Sequence, residues 1–465
     1  MKAKKINSVA NFFKKKKTGF TDFFVHFIKG NLKTKLSYFI MGFGCFGYKQ
    51  IVRGLIFLGA QIAFIQYMIT TGNYYLKMLS TLGTVEQGEV WNAEKEIFEI
   101  STGDNSMLLL LFGVITIIIC LIFIIIWVKN CQNAYENEQL AKNGKKILKF
   151  KDDWNNLFDR NYSKTVMFLP ILGMFLFTVL PLIFTIAIAF TSFDQLHQPP
   201  GNLFTWVGLQ NFKDVLWNDP LKSYTFIQLL QWTIIWAIFA TFLNYIFGIV
   251  LALLINKKGI RFKKFWRTTF VVTIAVPQFV TLLLMSKLLH DQGPLNNILL
   301  QWGWIKSAIP FLTDATWAKI TVIVVNLWVG VPYTMLITSG ILMNIPTDLY
   351  EASKIDGATA FQQFKSITMP YMLHVTTPYL ITQFVGNINN FNVIYLLSGG
   401  GPLSLDFYRA GKTDLLVTWL YKLTVDEQNY ALASTVGIFI FVIVSTISLI
   451  VYNNSSAVKE EDTFQ

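Results

Sequence analysis

The sequence predicts an all-α polytopic membrane protein, and three observations carry that prediction. The chain of 465 residues is 53% hydrophobic and only 14% charged, with a mean hydropathy of +0.46, a balance that excludes a soluble globular protein. It contains eight stretches that stay apolar over about 20 residues, the length a helix needs to cross the hydrocarbon core. Most of the net charge of +12 lies between those stretches, where basic residues set orientation rather than bind nucleic acid.

The eight stretches run over roughly 51–71, 107–128, 165–190, 228–255, 268–290, 318–342, 372–397 and 432–452. Ahead of the first, Leu36 to Tyr48 is aromatic and glycine-rich but too short to span, and it reads as an interfacial segment lying on the membrane. No cleavable signal peptide is expected, because the lysine-rich start is not followed by a short apolar core and a small-residue cleavage site. Cys45, Cys120 and Cys131 form no C-x-x-C pair and no metal spacing, so neither a disulfide framework nor a zinc site is indicated.

Charge sets the expected topology. Residues 1–50 are lysine-rich, the connection from Lys129 to Lys164 is basic, and "NKKGIRFKKFWR" is the densest positive cluster. The alternate loops, 72–106, 191–227, 291–317 and 398–431, are poor in Lys and Arg. The positive-inside rule then puts both termini in the cytoplasm, together with the connection around 343–371.

That connection is a polar hairpin between two apolar stretches. Pro346, Thr347 and Asp348 read as a helix start, Gly357 as its stop, and Phe361, Phe364 and Ile367 as the apolar face of a second helix before Pro370. A plain connector could be far shorter. Within the seventh stretch, Gln383, Asn387 and Asn390 recur at i, i+4 and i+7 on one helical stripe. Amides in a bilayer need partners, so they serve either as glue between helices or as hydrogen-bonding groups for a polar solute. Pro277 and Pro332 are expected to kink their helices, and Lys287 to reach the interface from a helix end. "AGKT" at 410–413 is not a phosphate loop, because Asp406 stands where the first glycine belongs. His26, His197, His290 and His374 are scattered and suggest no metal or catalytic grouping.

The hairpin carries a family signature. "EASKIDGA", followed by Phe364, Ile367 and Met369-Pro370, resembles the EAA motif of binding-protein-dependent ABC importer permeases, with Ser353 and Met369 as mild departures. "NLWVGVPYTMLITSGILMNIPTDLYEAS", "NINNFNVIYLLSGGGP" and "AGKTDLLVTWLYKL" extend the likeness to MalF-type permeases of maltose and maltodextrin importers over roughly residues 160–452. The resemblance implies a cytoplasmic-membrane permease core at 161–455 with its coupling hairpin at 346–370. Before it come a basic region at 1–50 and a helix pair with basic loop at 51–160, and after it a tail at 456–465. It implies that Glu351, Ala352, Asp356, Gly357 and Ala358 couple to an ATPase. It also implies that Tyr333, Gly330, Gln383, Gly386, Asn387 and Asn390 line a sugar site, with Gly330 and Gly386 letting a ligand approach the backbone.

The implied partners are a second, MalG-like permease, two copies of an ATPase subunit carrying ATP and Mg²⁺, and a sugar-binding protein. This chain itself would bind no cofactor and would not be an enzyme. The large extracytoplasmic domain of the MalF type in Gram-negative bacteria is missing, since the loop 191–227 is short, and Gly386 stands where an aromatic is expected. Rival readings are a permease for another oligosaccharide or a glycerol-phosphate-type solute, an ion-coupled secondary transporter, and a membrane-embedded enzyme. The second requires an intramembrane acidic residue, and the third a His, Cys or carboxylate cluster within the apolar stretches; neither is evident.

Overall fold

The computed structural model describes residues 23–92, 95–257 and 259–454; the lysine-rich stretch 1–22 and the tail at 456–465 lie outside them. Contacts divide the chain into two compact units, Met1–Trp206 and Val207–Gln465.

The first unit contains three helices long and apolar enough to cross a membrane: α1 (Ile51–Met78), α2 (Ser106–Lys142) and α3 (Tyr162–Ile188). Asn105 starts α2 by accepting hydrogen bonds from the Met107 and Leu108 amides, the usual role of an N-cap asparagine. Between α1 and α2 lies an antiparallel hairpin, β1 (Gly88–Asn92) and β2 (Ile97–Ser101), with Trp91 opposite Phe98. This stretch reads as an ordinary loop in the sequence, because two five-residue strands leave only a weak pattern. The segment expected to lie on the membrane, Leu36 to Tyr48, contains one short helix, Phe43–Gly47, and follows directly on another, Leu32–Leu36; both fold against the polar C-terminal part of α2. Met41 and Cys45 are buried there.

The second unit is built around α4 (Pro220–Asn256), started by the Asp219 carboxylate, which accepts from the Leu221 and Lys222 amides. The following helices are α5 (Lys263–Ala275), α6 (Gln278–Leu288), α7 (Ala315–Leu342), α8 (Thr347–Ile355) and α9 (Ala360–Gln363). After a π-helical turn at Phe364–Thr368 come α10 (Met369–Ile388), α11 (Phe391–Ser398), α12 (Leu416–Val425) and α13 (Tyr430–Asn454). α4 packs along both α7 and α10. Gly330 lies at the first of these contacts: a Cβ there would lie 2.3 Å from Asn244 Nδ2, so any larger residue would displace that side-chain amide. Tyr245 and Thr376 join α4 to α10 through a 2.6 Å hydroxyl–hydroxyl bond. Among the buried clusters of this core, one lies around Trp232, Trp236, Val322 and Ile394 and another around Trp419, Leu432 and Val436.

Among the described residues, six helices pass the length and hydropathy test for a membrane span: α1, α2, α3, α4, α7 and α13. The eight-span expectation differs from this at the fifth stretch, a bent pair that makes a seventh span if counted as one, and at the seventh, where α10 is 20 residues long but less apolar than those six. α5 and α6 are bent by 91° at Val276–Pro277, so Pro277 ends one helix and opens another rather than merely kinking a span. The seventh stretch is split into α10 and α11 at Asn389–Asn390, where the Asn390 side chain leaves the helical stripe to cap α11, accepting from the Val393 amide at 3.2 Å. Pro332, by contrast, sits inside an uninterrupted α7.

Candidate solute cleft and coupling hairpin

The breaks at Pro277 and Asn389–Asn390 have a common consequence, since both border one cleft of about 580 Å³ in the second unit. α4, α5, α6, α7 and α10 all contribute to its lining. Of the six residues implied as sugar-contacting, five line it: Gly330, Tyr333, Gln383, Asn387 and Asn390. Gly386 does not; it is exposed, and a Cβ there would meet nothing within 4 Å. At Gly330 the Asn244 side-chain amide, which lines the same cleft, stands beside the backbone.

The amides of α10 divide into two kinds. Asn387 is buried and donates to Thr241 Oγ1 of α4 at 3.0 Å, while its backbone carbonyl accepts from the Trp236 indole at 3.0 Å. Asn390 Nδ2 donates to Asn387 Oδ1 at 3.3 Å. Both asparagines therefore brace helices as well as border the cleft. Gln383 is half-buried, borders the cleft and has no side-chain partner among the described residues.

Sequence reasoning missed Asn244, Gln278 and Asn326, which also line the cleft. Asn244 Oδ1 and Asn326 Nδ2 are buried without a hydrogen-bond partner among the described residues, one an acceptor and the other a donor. A buried unpaired amide atom costs about 1–3 kcal/mol, so the fold leaves two uncompensated polar atoms beside the cleft. The signal was available: each is a lone amide inside an apolar stretch, as informative as the asparagines of the seventh. Among the described residues, no Asp, Glu, Lys, Arg or His lines the cleft. Tyr333 is half exposed beside it, so its ring face is available for stacking. No group of three or more His, Cys, Asp or Glu suited to a metal ion occurs among the described residues.

The hairpin is α8, a glycine turn and α9. Gly357 has φ +79°; its N–H donates to Lys354 O at 3.0 Å and the Ala358 N–H to Ser353 O at 2.9 Å, the two closing bonds of a Schellman motif. Thr359 and Gln362 then form a capping box that restarts the chain as α9. Gln363 Nε2 donates to Ser353 Oγ at 2.8 Å, and Tyr350 and Thr368 hydroxyls meet at 2.8 Å, so the two arms are tied together at both levels. Glu351, Ala352, Asp356 and Gly357 are exposed and Ala358 is half-buried. The expected apolar face of the second helix is divided. Phe364 packs against the Tyr245–Met372 cluster, whereas Phe361 is 71% exposed, because the π-helical turn beginning at Phe364 breaks the regular spacing. Ile355 is 87% exposed, so a rigid hairpin presents both apolar and acidic side chains.

With this geometry in view, the likeness to known proteins is specific. Residues 244–457 match the family described as "Binding-protein-dependent transport system inner membrane component". The galactooligosaccharides transport system permease protein GanP of Bacillus subtilis is 36% identical, covering 91% of this chain and 97% of that protein. The maltodextrin transport system permease protein MalC of Streptococcus pneumoniae is 35% identical, over 92% and 97%. The maltose/maltodextrin permease MalF of Escherichia coli is 35% identical over 54% of this chain and 49% of its own length. A crystal structure of a bacterial ABC transporter for import of the polysaccharide alginate shares the fold, with a TM-score of 0.52 and 24% identity over 65% of this chain and 97% of that one. A multi-pass membrane chain with an amide-lined cleft and an EAA hairpin, alike to these permeases along nearly its whole length, belongs to the family of binding-protein-dependent transport system inner membrane components.

Proposed function

We propose that this chain is one permease half of an ATP-driven importer for neutral oligosaccharides, maltodextrin first among them. The observation that carries the substrate class is the cleft itself: amides, threonines, a tyrosine and apolar side chains line it, and among the described residues no Asp, Glu, Lys, Arg or His does. Carboxamides both donate to and accept from sugar hydroxyls. A phosphorylated solute would call for Arg or Lys on this lining, and an ion-coupled carrier for a carboxylate. The GanP likeness keeps galactooligosaccharides as the second substrate reading, to be separated from maltodextrin by competitive uptake of both.

The partners in this reading are a second, MalG-like permease, two ATPase subunits that hold ATP and Mg²⁺, and an extracellular or periplasmic sugar-binding protein. Both termini and the hairpin of α8 and α9 face the cytoplasm, as the basic loops require. The hairpin would seat against the ATPase, and closure of the ATPase pair would move the attached helices as a rigid body.

Gln383→Ala is the cleanest test of the site, since Gln383 borders the cleft without bracing another helix. Loss of one neutral hydrogen bond, about 0.5–1.5 kcal/mol, should weaken sugar affinity roughly 2- to 12-fold while assembly stays normal. Asn387→Ala, which also frees Thr241, should lose assembly as well as transport. Unchanged transport in Gln383→Ala would remove the cleft from the sugar path. The energy source has its own test: the purified chain should hydrolyse no ATP, and uptake should need the nucleotide-binding subunit. Sugar uptake driven by a proton or sodium gradient through this chain alone would overturn the importer reading.

A further inference from the structure

Residues 1–50 carry eleven lysines against a single aspartate, a net +10 of the chain's +12, far more than orientation of one helix needs. Within the described part of this region, Phe24, Ile28 and Leu32 recur every four residues and are 52%, 71% and 72% exposed, and Phe39 is 69% exposed. Lys29 is exposed beside them. Exposed apolar and cationic side chains thus occur together, on two successive short helical segments broken at Gly30–Asn31, shortly before α1 begins at Ile51.

That surface is not on a loose arm. The Asn31 amide and the Thr34 hydroxyl both donate to Glu138 Oε2 of α2, at 2.8 and 2.7 Å. The Gly42 amide donates to Asn130 Oδ1 at 2.9 Å, Asn130 Nδ2 donates to Ser37 O at 2.8 Å, and the Trp127 indole donates to Tyr38 O at 2.9 Å. His26 stacks on Tyr135 with ring centroids 3.9 Å apart. The buried part of the segment is therefore committed to the end of α2, while the Ile28, Leu32 and Phe39 side chains remain largely exposed.

We propose that Phe23–Tyr48 is an in-plane anchor that binds anionic phospholipid, with Phe24, Ile28, Leu32 and Phe39 at the acyl boundary and Lys29 and Lys35 at the headgroup phosphates. Charge complementarity selects the occupant: a lysine-flanked apolar stripe has large attraction for an anionic leaflet and little for a neutral one. The lysines of the first 22 residues add to the same field by sequence alone. Lys33 has a structural duty instead, since its ammonium donates to Gly47 O at 2.9 Å and sits over the Tyr48 ring.

The test uses the full chain in nanodiscs of phosphatidylcholine with graded phosphatidylglycerol. A photo-crosslinking residue in place of Ile28 should form phospholipid adducts, with phosphatidylglycerol enriched over its share of the bilayer. Each of Lys29→Gln and Lys35→Gln should lower that enrichment about fivefold, the effect of roughly 1 kcal/mol per surface lysine. Lys33→Gln would disturb the fold of the segment and is not used. Adducts that are polypeptide in native membranes, or lipid adducts with the two phospholipids in bilayer proportion in both wild type and variants, would overturn the proposal.

Discussion

Gly357→Val is expected to leave the chain inserted in the membrane and to abolish the stimulation of ATP hydrolysis by sugar-loaded binding protein. The cost is purely one of backbone conformation. Gly357 has φ +79°, and a Cβ there would meet nothing within 4 Å, so there is no steric clash to relieve. A left-handed conformation costs an L-residue about 1–2 kcal/mol, and a β-branched side chain tolerates it worst. The chain would escape by opening the Schellman turn, which breaks the bonds from Gly357 and Ala358 to Lys354 and Ser353 and swings α8 away from α9. Gly357→Asn is the control, because asparagine enters the left-handed region readily and should retain most of the coupling. Glu351→Lys, at an exposed position of α8, should uncouple by charge mismatch without altering the turn. Neither residue lies in a span, so membrane insertion should match wild type in all three variants. Wild-type stimulation in both Gly357→Val and Glu351→Lys would reduce the hairpin to a connector.

Asp414→Asn is expected to destabilise the second unit by about 3–5 kcal/mol, the usual effect of breaking a buried ion pair from one side. The Asp414 side chain is fully buried and accepts from Lys422 Nζ at 2.6 Å, the Thr418 hydroxyl at 2.8 Å and the Gly411 amide at 2.7 Å. Lys422 is only 12% exposed, so the variant leaves an ammonium without its counter-charge. The pair also holds the loop between α11 and α12 against α4. Trp232 donates to Thr413 O at 3.1 Å, and the Leu416 and Tyr408 amides donate to Thr233 and Thr225 at 3.1 and 2.7 Å. Thermal unfolding of the purified chain in detergent should show the loss, and Asp414→Asn with Lys422→Met should recover part of it, since removing both charges is far cheaper than stranding one. A single variant that melts like wild type would mean that water reaches the pair.

Asp414 also shows where sequence reading stops. In the sequence it is an aspartate following "AGKT", a stretch that matters there only as a failed phosphate loop; the partner that gives it a role is eight residues further on, across a helix start. The helical class, most apolar stretches and the hairpin could be read directly, because hydropathy, basic loops and a glycine stop are local properties of the chain. The EAA signature and the amides of α10 were legible for the same reason.

What only the tertiary structure decided is which of those amides face a cleft and which face a neighbouring helix. A regular helix places Gln383, Asn387 and Asn390 on one stripe, but Asn390 caps α11 and Asn387 is bonded to Thr241 from α4, far away in sequence. Asn244 and Asn326 join the cleft from two further helices, and Gly386 drops out of it although it is adjacent to Asn387. The docking of residues 31–50 on the end of α2 likewise rests on contacts between residues far apart in the chain, whereas the β-hairpin before α2 is local but too short to leave a clear pattern. Spacing along the chain sets which side chains can share a face; the helix that packs there determines what that face touches.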